Sequence, residues 1–422
     1  MIDHDPLLYE QTPLPDSHAS QVRSTLVRDI VVALRARPAR VDGITYERGR
    51  EPREWHRGGP TMSHRPLMVA LAAAVLFSVT PSARGATLYV ASNGVNSTIC
   101  GSFVIGGSNC GAKDFPCRSI SCAIREAAAG DTIIVGPGRY GDLNSNGTPG
   151  DSIGEEIPAP GCGCMLAMNK AVSLISSHGA AATVIDGRSV GGANSVATVV
   201  IFAVAGEFGR PGKGFTVTNT ADSNGGTAIV VDANNVAIRG NQVVSFAGLT
   251  FNTPTGTGIG TVDFPQTISI EGNQLMGWGT AIRAAGDGKT VRKNEISLCS
   301  SGISISGNSR ATGNVIVGTA FSVQPKQMAA VVGNAFYGNR ITVNAQPGFT
   351  GVIQKNNFVG SSDDCALTNL SGTNDLDVTN NYWGVPTGPG PDPADDYCNF
   401  NGTVTVVPFA TKPFGVKARV KP

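Results

Sequence analysis

One phrase returns through the second half of this 422-residue chain: an apolar or small residue, two more residues, Asn, one residue, an apolar residue. "IEGNQL" (270–275), "VRKNEI" (291–296) and "ATGNVI" (311–316) are three copies. The Asn residues are Asn241, Asn273, Asn294, Asn314, Asn334, Asn356 and Asn381, at steps of 32, 21, 20, 20, 22 and 25. The residue three before each is apolar or small (Ile238, Ile270, Val291, Ala311, Val331, Ile353, Val378), and the residue two after is apolar (Val243, Leu275, Ile296, Ile316, Phe336, Phe358, Trp383). A partial column nine after the Asn holds Ile282, Ile303, Val323 and Val343. A fixed period of this length marks a stacked architecture. No helical pattern fits inside one period, so the unit is made of strands and turns, as in a parallel β-helix.

Stacking accounts for the phrase. Coils lie at about the inter-strand spacing of 4.8 Å, so each sequence column becomes a row along the solenoid. The apolar rows form one core that no single coil could bury alone. The Asn falls where the chain turns between strands, and Asn tolerates a left-handed backbone better than most residues with a side chain. Its amide, turned inward, would bond the turn backbone and the Asn of the next coil. The residue before it is Gly at 240, 272, 313 and 333, which fits a tight corner. The step of 32 contains an insertion, 247–265; a second loop-like stretch, 141–164, carries Asp142, Asp151, Glu155 and Glu156.

The first part of the chain reads differently. Residues 62–85 have a short basic start, an apolar run from Leu67 to Phe77, then Pro81 and small residues. That is the layout of a secretory signal peptide, with cleavage after Gly85. Residues 1–61 are Arg-rich without Lys or periodicity, as in a disordered leader or an over-extended gene start. Of 32 Lys+Arg and 31 Asp+Glu, 11 and 9 precede residue 86, leaving 21 and 22. Without a basic excess, counterion release cannot drive nucleic-acid binding. His178 is the one His beyond residue 85, which removes catalysis by a His pair. All nine Cys also lie there, implying disulfides in an exported protein, secreted or periplasmic. Cys100, Cys110, Cys117 and Cys122 cluster, Cys162 and Cys164 flank one Gly, Cys365 and Cys398 flank the C-terminal motif, and Cys299 stands alone as a buried thiol. Residues 119–131 carry an amphipathic helical face suited to covering an end of the solenoid. The expected domains are a cap over 86–169, the β-helix over 170–410 and a tail over 411–422.

Three further stretches carry a family resemblance. "PCRSISCAIREAAAGDTIIVGPGRY" (116–140) resembles the N-terminal cap and first strand of secreted right-handed parallel β-helix proteins. "KAVSLISSHGAAATVIDG" (170–187) resembles their first full coil, and "NNYWGVPTGPGPDPADDYC" (380–398) their closing motif. The chain is thus similar to the pectate-lyase-like superfamily over roughly 86–410. The resemblance implies a right-handed all-β solenoid with a short N-terminal capping helix. It does not imply one activity, because that fold hosts lyases, hydrolases, epimerases, spikes and adhesins. The hydrolase pattern of the superfamily is missing its Gly-His-Gly, and Asp363–Asp364 reads as a solvated loop.

A lyase of that kind would need carboxylates holding Ca²⁺ beside an Arg or Lys base. Two before the Asn, the column reads Arg239, Glu271, Arg292, Thr312, Val332, Gln354, Thr379. Arg239, Glu271 and Arg292 therefore stack on consecutive coils, with Lys289 and Lys293 flanking and Arg283 and Asp287 nearby. Candidate catalytic residues are Arg239, Arg292 and Lys293. Candidate ligand-binding residues are Glu271, Trp278, Arg283 and Lys289, with Trp278 as an aromatic platform for a sugar. Glu271 and Asp287 are the candidate Ca²⁺ ligands. The first reading of the same cluster is an ion-pair ladder on a solvated face, worth little to stability, and the functional reading comes second to it. Three functions follow: a surface protein that binds a polysaccharide, a Ca²⁺-dependent lyase or epimerase acting on uronate glycans, and a structural spacer. No stable membrane insertion is expected once the signal peptide is removed.

Overall fold

The computed structural model describes residues 85–416 apart from 97–99, 101–108, 145, 147, 153–154, 160, 188–196, 219–225, 246–253, 364, 373–374, 392 and 401. The leader, the signal peptide, part of the 247–265 insertion and the last residues of the tail lie outside the described residues.

Three parallel sheets form the faces of a right-handed coil. Sheet I has ten strands, sheet II nine and sheet III ten. Within one repeat the chain runs through sheet I (Val236–Arg239), sheet II (Gln242–Val244) and sheet III (Thr257–Thr261), then re-enters sheet I at Ile268–Glu271. Each strand pairs in parallel with its counterpart one coil away, and crossovers between parallel strands of one sheet are right-handed. The predicted apolar columns are the core. Ile238, Ile270, Val291, Ala311, Val331 and Ile353 line sheet I, and Ile282, Ile303, Val323 and Val343 line sheet III; all are buried.

The Asn column forms a continuous buried ladder. Asn273 Oδ1 accepts from Asn241 N and Nδ2 at 3.0 and 3.1 Å. Asn294, Asn314, Asn334, Asn356 and Asn381 repeat that arrangement, each accepting from the Asn one coil earlier. The second amide hydrogen goes to a strand carbonyl, for example Asn314 Nδ2 to Val291 O at 3.0 Å. Both donors and both lone-pair directions of the amide are used.

One expectation about this corner is corrected. The left-handed residue is the one before the Asn, not the Asn itself: Gly240, Gly272, Lys293, Gly313, Gly333, Lys355 and Asn380 have φ of 66, 63, 53, 63, 67, 57 and 57°. The preceding residue makes the sharp turn, and this frees the Asn to aim its amide inward.

At the N-terminal end, α1 (Ile120–Glu126) is capped by Ser119, whose side chain accepts from Cys122 N. Buried Glu156 accepts from Ile120 N and Ser121 N, both at 2.8 Å, and burial pushes its pKa up to about 7. The segment read as a cap contributes more than a lid. Thr87–Val90 and Thr132–Val135 are the first strands of sheet I, so stacking starts well before residue 170. The disulfides are Cys100–Cys122, Cys110–Cys117, Cys162–Cys164 and Cys365–Cys398, with Cys299 a buried free thiol. At the far end Phe336 stacks on Phe358, and Trp383 and Tyr397 continue the row with tilted rings. The described part of the tail straps across sheet II, where Phe414 exchanges two hydrogen bonds with Asn357.

Candidate functional site

The outward face of sheet I carries the charged cluster. Arg239, Glu271 and Arg292 end three successive strands and pair in register, so the 32-residue step loops out as expected. Glu271 is the centre. Its Oε2 lies 2.7 Å from Arg292 Nη2 and 3.8 Å from Arg239 Nε, and its Oε1 lies 3.7 Å from Lys293 Nζ. Two coils before Glu271, Glu207 lies 3.5 Å from Arg239 Nη1 and 2.6 Å from Arg210 Nη2. The hydrogen bond that Arg210 Nε donates to Glu207 Oε2 holds the guanidinium above its ordinary value. Four cations thus surround two carboxylates, a local excess of positive charge on a chain whose residues after 85 carry 21 Lys+Arg against 22 Asp+Glu. Beyond Arg292 the column continues as Thr312, Val332 and Gln354, which carry no charge and bound the patch.

Other sequence candidates lie elsewhere. Trp278 is not a platform for a sugar: it is fully buried, and its Nε1 donates to Val243 O at 3.0 Å. The residues at its position in later coils, Cys299, Thr319 and Asn339, are also buried. That inward column mixes thiol, hydroxyl and amide, so it shows no apolar signature in the sequence. Lys289 is not on the outward face either. It pairs with Ile268 in the inward row of sheet I and is 1% exposed. Its Nζ reaches Phe264 O at 2.6 Å and Asp287 O at 3.0 Å. Burial lowers its pKa, while Asp263 and Asp287 oppose that shift. Its alignment with Ile268, 21 residues earlier, was the signal that could have revealed it.

Arg283 is exposed, but on sheet III between Gly260 and Ser304, a different face from Arg239 and Arg292. Asp287 sits on the corner leading into sheet I, where its Oδ1 accepts from Asn308 N at 2.6 Å. Glu271 lies at the opposite end of the paired strands. The two proposed Ca²⁺ ligands therefore do not converge. Among the described residues, groups of three possible metal ligands within 4.8 Å are made of cysteines, joined once by Glu126.

Residues 186–388, just under half the chain, match the family model described as periplasmic copper-binding protein (NosD). The fold is a right-handed parallel β-helix. Among solved structures, the chain is similar to pectate lyase Pel9A, at 14% identity over 78% of each chain with a TM-score of 0.36. It is also similar to a rhamnogalacturonan lyase, at 11% identity over 77% of this chain and 87% of that one, TM-score 0.34. A lacto-N-biosidase from Eubacterium ramulus matches at 11% identity over 76% and 68%, TM-score 0.32. At these scores the likenesses say nothing of chemistry. No curated protein matches. The periplasmic family match, with four disulfides, sets the protein outside the cytoplasm. Among the described residues, no helix is long and apolar enough to cross a membrane.

Proposed function

We propose that this exported β-helix binds an acidic polysaccharide on the outward face of sheet I, around Glu271, without carrying out a chemical step. The convergence of Arg239, Arg292 and Lys293 on one carboxylate supports this reading. Three cations around one carboxylate form a cup for an anion, and coils repeating at about 4.8 Å offer a linear polyanion successive contacts. Such contacts weaken with salt. Removing both guanidinium groups in Arg239→Ala/Arg292→Ala should lower affinity for a uronate polysaccharide about tenfold. The same change should leave stability within about 1 kcal/mol, since exposed pairs contribute little. Affinity for the polyanion and a denaturation midpoint read the two effects separately. Unsaturated sugar products formed in the presence of Ca²⁺, and lost in the same variant, would instead establish a lyase.

Copper is the ligand named in the matching family's description, and the donors here do not fit it. Copper favours thiolate, thioether and imidazole ligands. The matched residues 186–388 contain no His, and His178 lies outside them, bonded to Ser177 Oγ at 2.7 Å. Within the match Cys365 is in a disulfide, and Cys299 is buried with its thiol pushed up to about 11. Met276 lies on a strand of sheet II, whereas Met328 lies on the corner that leads into sheet I, three coils away. These sulfur atoms do not converge on one point.

A further inference from the structure

Lys293 breaks the rule of the corner it occupies. Four of the seven residues in that column are Gly and one is Asn, the types that adopt a left-handed backbone most easily. Lys has no such tolerance, yet Lys293 has φ of 53°. Its side chain does not repay the strain by packing, since it is 70% exposed. What it does is bring an ammonium to 3.7 Å from Glu271 Oε1, completing the cationic cup. Lys355 carries the same strain, so the backbone alone does not mark function; what sets Lys293 apart is the carboxylate its strained side chain reaches.

Resting on the acidic-glycan reading, we infer that Lys293 is a ligand-contacting residue kept on this corner for binding, and that Glu271 occupies the place a ligand carboxylate takes. Glu271 then competes with the ligand: the cup is assembled around it, and an acidic sugar displaces it from Arg292 and Lys293. Lys355 supplies an internal control. It has the same left-handed backbone, φ of 57°, three coils further on, but among the described residues no carboxylate lies within ion-pair range of it.

The test uses the protein with a galacturonic-acid oligosaccharide as probe, reading affinity and thermal midpoint together. Lys293→Gly should weaken binding about fivefold while raising the midpoint by about 1 °C as the corner relaxes. Lys355→Gly should raise the midpoint likewise with affinity unchanged. Glu271→Gln should bind the probe several-fold more tightly. Wild-type affinity in Lys293→Gly, or an equal loss in Lys355→Gly, would overturn the inference while leaving the glycan reading intact. If neither the wild type nor Glu271→Gln binds the probe, both fail together.

Discussion

Asn314→Ala is expected to destabilise the solenoid by about 4–6 kcal/mol, from a side chain that touches no ligand. The substitution strips the acceptor from Asn294 N and from Asn294 Nδ2, the donor from Val291 O, and one donor from Asn334 Oδ1. All lie in the buried ladder, where water cannot replace them. Each buried polar group left without a partner costs about 1–3 kcal/mol. Several fail together here, and the small cavity adds to the loss. Asn308, exposed on the corner before the strand Arg310–Thr312, makes the comparison. Asn308→Ala should stay within about 0.5 kcal/mol, as a surface change does. Denaturant midpoints for the two variants check both figures. An Asn314→Ala protein as stable as the wild type would show that the column is not a structural ladder.

Trp278→Ala carries the second large effect, about 3–5 kcal/mol, because a fully buried indole leaves a cavity no neighbour can fill. Trp278→Phe should cost less, about 1–2 kcal/mol, chiefly by leaving Val243 O without its indole donor. The order of these two variants is informative. A tryptophan serving as an exposed sugar platform would lose binding in both variants and stability in neither. Thermal or chemical unfolding, read alongside glycan affinity, separates the two roles.

Trp278 also shows where sequence reading reached its limit. The strand columns were legible because burial in a stacked coil demands an apolar side chain at every period. Ile270, Val291 and Ala311 announce their row, and Asn273, Asn294 and Asn314 announce the corner. The row through Trp278 is satisfied differently in each coil. Cys299 accepts from Trp278 N, and Thr319 donates to Asn339 Oδ1. Local hydrogen bonding there replaces a uniform residue type, so no periodic signal survives. Lys289 misleads for a related reason. Its charge suggests solvent, but its stem fills an apolar position and its ammonium satisfies backbone carbonyls from a neighbouring loop, a contact that depends on tertiary structure.

The candidate site was partly legible for the same structural reason. Residues two before the Asn share one outward row, so Arg239, Glu271 and Arg292 could be placed together before any geometry was known. Lys293 joined them through its backbone: the left-handed corner swings its side chain back over Glu271. Arg283 and Asp287 are neighbours in sequence, but they belong to another face and another corner. A linear distance of ten residues carries the chain halfway around a coil, and proximity in the sequence says little about proximity on a solenoid.

The proposed ligand is recognised by its carboxylate groups on the face around Glu271. The most direct measurement is a calorimetric titration of the protein with a galacturonic-acid oligosaccharide and with the same oligosaccharide fully methyl-esterified. Binding of the free acid that weakens as salt is raised, with no binding of the neutral ester, is the predicted result. Equal affinity for acid and ester, or binding of the acid that is indifferent to salt, would contradict it.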